Sequence, residues 1–433
     1  MTPQNSLSLD QAPPIGVPLR FFVTAPLFAV TAALLALWQG ADLFGSRWSP
    51  AMLGITHLLT LGYLGLIMLG AILQMLPVVA GTPVRRPVPV AGAIHVLATG
   101  GIALLCYGLI FTAPLALKIA LPLLGTALLS FAALVFLTLR RALPQNMTAR
   151  AMRLAVLMLA ATVLLGLVLL SNHAFGWWLQ AREALAELHL TWGLLGWVGL
   201  LIAGVAFQVV PMFQLTPAYP VRLTRRLVPA LFILLLALAA ASRFPEFQLA
   251  LKILLAAGFA VFALTTLQLQ AKRRRKLSDV SLDLWRGGLI GLLSAVALWL
   301  AAQLVPAIGE LQGYGMLLGV LMIVGFAMSI INGMLYKIVP FLVWFHLQGR
   351  RGANGTTVPN VREILPESRS RPQMRLHFAA LAVLLAAVLV PAVFAYPAAL
   401  LFAVSNFWLW LNIVAAGRTY RRVAARSGEA AAG

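Results

Sequence analysis

Twelve apolar stretches, separated by short polar or basic connections, make up most of this chain of 433 residues. They run near 20–39, 51–76, 90–111, 117–139, 152–172, 188–211, 227–242, 247–269, 287–305, 314–341, 376–396 and 398–416. Crossing the hydrocarbon core of a bilayer takes about 20 predominantly apolar residues, and in lipid a helix satisfies its own backbone polar groups. The pattern predicts an all-α, polytopic membrane protein with 12 transmembrane helices. Composition agrees, with 61% of residues hydrophobic and 10% charged, against about 45–50% apolar and about 25% charged in soluble domains. A water-soluble fold is excluded.

Lys and Arg number 32 against 11 Asp and Glu, a formal charge of +21. In a soluble protein this excess would point to nucleic acid; in a polytopic membrane protein it gathers in cytoplasmic loops. With the N-terminus placed in the cytoplasm, 27 basic residues fall on that side. Five fall on the other: Arg47, Lys118, Arg182, Arg243 and Lys252. Both termini are therefore expected in the cytoplasm of a bacterial-type inner membrane, with the lipid bilayer as partner and no nucleic acid. Residues 1–18 lack the basic start and apolar run of a cleaved signal and read as a cytoplasmic tail, as do 419–433, around a membrane domain over 19–418. The basic run at 272–276 reads as an orientation signal, with a nucleic-acid or anionic-lipid patch as the lesser alternative. Segment 349–375 is the only long polar connection. Cys106, the single cysteine, lies in an apolar run, so there is no disulfide framework.

An internal repeat is visible. Gly65, Gly70, Gln74 and Pro77 recur 134 residues later as Gly199, Gly204, Gln208 and Pro211; Gly333, Lys337 and Pro340 follow after a further 129. These fall on the second, sixth and tenth spans, which predicts three pseudo-repeats of four helices over about 19–140, 150–270 and 283–418. Glycine lets helices approach closely in lipid, and proline is expected to end or kink each span where it leaves the membrane. Gln74, Gln208 and Lys337, one turn earlier, are expected to reach the interface.

All eleven acidic residues lie in tails, loops or helix ends. Neither a carboxylate relay nor an acid–base pair is present, and no HExxH, CxxC, GxSxG or P-loop pattern occurs. The six histidines remain. His95, His346 and His377 fall at cytoplasmic helix ends and read as interfacial. His57, His173 and His189 fall on the outer side, His57 and His189 farther inside their spans. An imidazole there is costly unless bonded or ligated. Thr56, Thr60 and Thr191 offer bonding, while convergence of the two helices would offer ligation of a haem iron or a copper ion. Counted from the shared motif the two histidines stand two residues apart, about 160° around a helix, so they do not occupy equivalent faces. Trp177, Trp178, Trp192 and Trp197 read as an aromatic belt.

Twelve helices with cytoplasmic termini and a threefold four-helix repeat resemble the haem–copper oxidase subunit I fold. The segments LRFFVTAPLFAVTAALLAL and ITHLLTLGYLGLIMLGAILQMLPVVAG are similar to the NnrS family of haem- and copper-containing membrane proteins. The resemblance implies that His57 is an axial haem ligand and that His189 stands where the oxidases carry a helix-6 copper ligand, although Leu190-Thr191-Trp192 follows it here. The paired histidines around helix 7 and those of helix 10 are missing; Leu318 and Val320 stand at the helix-10 positions. A binuclear catalytic centre is thus not implied, and catalysis by that route is not expected. What is implied is one haem b or one metal ion such as copper on His57 and His189, with His173 in reserve. The role would lie in redox chemistry or in the handling of nitric oxide or copper. The alternative is a repeat-built transporter or permease for a small solute.

Overall fold

The computed structural model describes residues 11–177, 179–241, 244–274, 277, 279–349 and 358–432. Among them, 12 helices are long and apolar enough to cross a membrane, so the chain is a multi-pass membrane protein by fold. They are α1 (Gly16–Gly45), α2 (Pro50–Ala80), α3 (Pro87–Ile110), α4 (Pro114–Leu139), α5 (Met147–Phe175), α6 (Arg182–Gln214), α7 (Val221–Ala240), α8 (Glu246–Ala271), α9 (Val280–Leu304), α10 (Tyr314–Gln348), α11 (Glu367–Leu389) and α12 (Pro391–Arg426). Local sequence sets many of the starts. Ser49, Asn146 and Asp279 accept the exposed amides of Met52, Ala149 and Leu282, and Pro50, Pro87 and Pro114 open their helices, where a missing N–H costs nothing.

Burial sorts the helices. The most apolar windows of α2, α6 and α10 are 78%, 67% and 56% buried, and no other helix exceeds 44%. These three form the centre, and the rest surround them. Each central helix also widens into a π-helical segment: Leu58–Gly65, Trp192–Gly199 and Leu321–Met328. Their first residues are separated by the same 134 and 129 positions as the glycine motifs. The segment of α10 packs on both others. Small residues permit the close approach: a Cβ on Gly291 of α9 would lie 2.8 Å from the Gly325 carbonyl carbon in α10, so these helices touch backbone to backbone.

Several expectations are corrected. Pro77, Pro211 and Pro340 do not end their helices, which run on to Ala80, Gln214 and Gln348. Each proline frees one carbonyl a turn earlier without breaking the rod. Gln74 does not reach an interface but is buried, its Oε1 lacking a hydrogen-bond partner among the described residues, whereas Lys337 pairs with Asp279 at 2.8 Å. The last two spans part at Val390-Pro391, not at Tyr396-Pro397, which lies inside α12; the residue before a proline avoids the helical region, and Val390 has φ −134°. Much of the 349–375 connection is helical: Asn360 and Glu363 form a capping box and α11 begins at Glu367. Trp197 is buried rather than part of a belt, and Trp192 donates to the Leu235 carbonyl at 3.3 Å. Residues 1–10, Trp178, Arg243, the end of the 272–276 basic run and residues 350–357 lie outside the described residues.

Candidate functional site

At the end of the bundle that carries Arg47 and Glu187, the three central helices line a cavity of about 1200 Å³. That exceeds the about 300–1,000 Å³ of ordinary small-molecule sites. His57 from α2 and His189 from α6 both line it, and their ring centres lie 6.2 Å apart with planes inclined by 29°. The structure thus brings together two residues 132 positions apart, while His173 stands at the cavity mouth on the last turn of α5.

Each ring is oriented by a carbonyl. His57 Nδ1 lies 2.7 Å from the Leu53 carbonyl one turn back in its own helix, and His189 Nδ1 lies 2.9 Å from the Thr162 carbonyl of α5. A carbonyl only accepts, so Nδ1 carries the hydrogen on both rings and Nε2 keeps its lone pair. Among the described residues neither Nε2 has a hydrogen-bond partner. Of the neighbouring threonines, Thr60 turns its hydroxyl to the Thr56 carbonyl at 2.8 Å. Gly166 makes the seat for His189. A Cβ there would lie 2.8 Å from its Cε1.

The third side of the cavity is apolar. Leu318 and Val320 of α10 line it, at the places that the 129-residue offset assigns to the counterparts of His189 and His57. Among the described residues no group of three metal-ligating side chains occurs. At the mouth, Arg47 pairs with Glu187 and lies over the Trp48 ring at 4.5 Å.

The remaining histidines have protein partners. His95 Nε2 is 2.9 Å from the Thr24 hydroxyl. His346 faces the Leu342 and Pro13 carbonyls at 2.9 and 3.0 Å. His377 is not interfacial, as its position had suggested, but wholly buried between α10 and α11. Its Nε2 is 2.8 Å from Ser329 Oγ and its Nδ1 3.4 Å from Asn332 Nδ2, and Tyr63 of α2 donates to Asn332 Oδ1. One turn on, Tyr336 donates to Gln373 and accepts from Asn412 of α12. This network joins α2, α10, α11 and α12 through hydrogen bonds inside the bundle. Sequence reasoning missed it because its members are scattered singly over four helices. The one available signal was the recurrence of amides and hydroxyls on otherwise apolar spans.

The sequence matches no protein-family model, and no curated protein matches it significantly.

Proposed function

We propose that this protein is a haem-binding inner-membrane protein of the haem–copper oxidase-like, NnrS-like type, without a binuclear catalytic centre, in which His57 and His189 ligate one haem b. One observation carries the reading: both imidazoles commit Nδ1 to a backbone carbonyl and leave Nε2 free beside the same cavity. Metal-ligating histidines characteristically show this arrangement, the second bond fixing tautomer and ring orientation. The spacing fits as well. The ring centres lie 6.2 Å apart, close enough for both imidazoles to reach one metal ion at ordinary metal–nitrogen distances.

Coordination number favours haem over a lone copper ion. The tetragonal Cu(II) and trigonal blue-copper sites use more than two donors, and the cavity offers two imidazoles. A haem, whose iron needs few ligands from the protein, would be held by His57 and His189. When bound, such a group supplies reversible one-electron chemistry. The chain would contribute the two lone pairs, the carbonyls that aim them, and largely apolar walls around them. A role in electron transfer, redox sensing, or nitric oxide or copper handling follows from that class.

Three four-helix pseudo-repeats and cytoplasmic termini complete the reading. The matched positions of the three π segments support the first, and alternation of basic loops supports the second. On that orientation the cavity opens to the outer side.

The test is an absorbance spectrum of the detergent-extracted protein from haem-replete cells. A Soret band with paired visible bands after dithionite is expected, and His57→Ala and His189→Ala should each abolish the paired bands. A colourless preparation would overturn the haem assignment. Stoichiometric copper without haem would instead favour a two-coordinate copper site.

A further inference from the structure

The two histidines are held by unequal scaffolds. The outer turns of α2 are anchored: Pro50 opens the helix, Ser49 caps it at 3.2 Å, Gly54 and Ile55 are buried, and His57 is oriented by its own helix. The corresponding part of α6, Arg182–Thr191, contains no buried residue. It starts without a side-chain cap behind Ala181, whose φ is +59°, and it ends at the π-helical segment Trp192–Gly199. Segments with few buried contacts open at low free energy, and π-helical turns mark places where a helix changes register.

Besides its packing on α5, three side-chain contacts tie this segment to the cavity. His189 Nδ1 bonds the Thr162 carbonyl, its ring lies on Gly166, and Glu187 pairs with Arg47. Arg47 in turn rests against Gly315 of α10, where a Cβ would lie 3.0 Å from its Cδ. The ion pair is exposed, 40% and 46% accessible on its two sides, and exposed pairs are weak.

We propose that Arg182–Thr191 is a hinged arm that carries His189 out of the cavity, with Arg47–Glu187 as its latch. A small uncharged donor molecule would then bind at the position His189 leaves, opposite His57. The ligand-binding part rests on the haem reading above; the movement of the arm does not.

Two measurements separate them. In the first, spin labels at Ala184→Cys and Gln312→Cys, in a Cys106→Ser background, report the distance between the arm and the start of α10 without any cofactor. A two-peaked distribution is expected, with the longer distance enriched by Arg47→Gln. A single narrow distance, the same in both proteins, would overturn the arm. In the second, carbon monoxide is added to the dithionite-reduced protein. The Soret band should shift, roughly two- to fivefold faster in Arg47→Gln and Glu187→Gln, the range an exposed pair supports. An unshifted band in all three proteins would overturn the exchange while leaving the two-histidine centre intact.

Discussion

His57 and His189 stand 6.2 Å apart, ring centre to ring centre, although they sit out of step in the motifs that otherwise match along α2 and α6. They converge because different carbonyls aim them, one from the ring's own helix and one from α5. The site therefore depends as much on how α5 packs as on the histidines themselves.

That dependence predicts the effect of Gly166→Ala. The added methyl would meet His189 Cε1 at 2.8 Å and push the ring off its seat. On the proposed haem reading, affinity for haem should fall roughly 10–100-fold, the usual effect of disturbing an orienting contact, with little change in thermal stability. Haem titration of the apoprotein, followed by absorbance, measures it. Unchanged affinity would mean that the ring finds its place without the glycine.

The apolar third wall predicts a gain of function. Val320 lines the cavity, and Val320→His would add a third imidazole. Three protein ligands with an open position describe a zinc site, so the apoprotein should retain stoichiometric zinc through dialysis where the parent retains none. Metal analysis decides it, and a metal-free variant would place Val320 out of reach of the other two rings.

Close packing at the centre predicts an asymmetry between glycines. A Cβ on Gly291 meets α10 backbone at 2.8–3.1 Å, which cannot move aside, whereas nothing lies within 4 Å of one on Gly100. Gly291→Ala should cost about 1–3 kcal/mol, and Gly100→Ala should be neutral or slightly stabilising. Unfolding in detergent, read by circular dichroism, compares the two; equal midpoints would refute the backbone contact.

The buried network predicts a structural effect confined to its own helices. His377→Ala leaves Ser329 Oγ with only the Val324 carbonyl and Asn332 with only the Tyr63 hydroxyl among the described residues, and the lost buried bonds should cost about 1–3 kcal/mol. The melting temperature should fall while the reduced spectrum keeps its band positions. A shifted spectrum at unchanged stability would tie His377 to the centre instead.

How much of this was legible beforehand varied with the kind of interaction. The number of spans was legible because hydropathy over about 20 residues is a local property that lipid reads directly. The kinship of α2, α6 and α10 was legible too, since Gly65, Gly199 and Gly333 recur on them at matched offsets. The prolines misled: Pro77, Pro211 and Pro340 look like stops, yet neighbouring helices support the chain through them. His377 misled in the opposite direction. It lies close to Arg375 in sequence, but α11 turns it inward to Ser329 while the arginine stays out.

Apolar length and glycine spacing, both carried along the chain, determined the bundle and its central helices. Only the tertiary structure decided that His57 and His189 share a cavity, that Leu318 and Val320 close its third side, and that Tyr63, Asn332 and His377 bond inside the protein. Side-chain direction across helices depends on rotation and register, which widened π turns reset by fractions of a turn. That quantity has no local signature, and it appears only when the helices are packed.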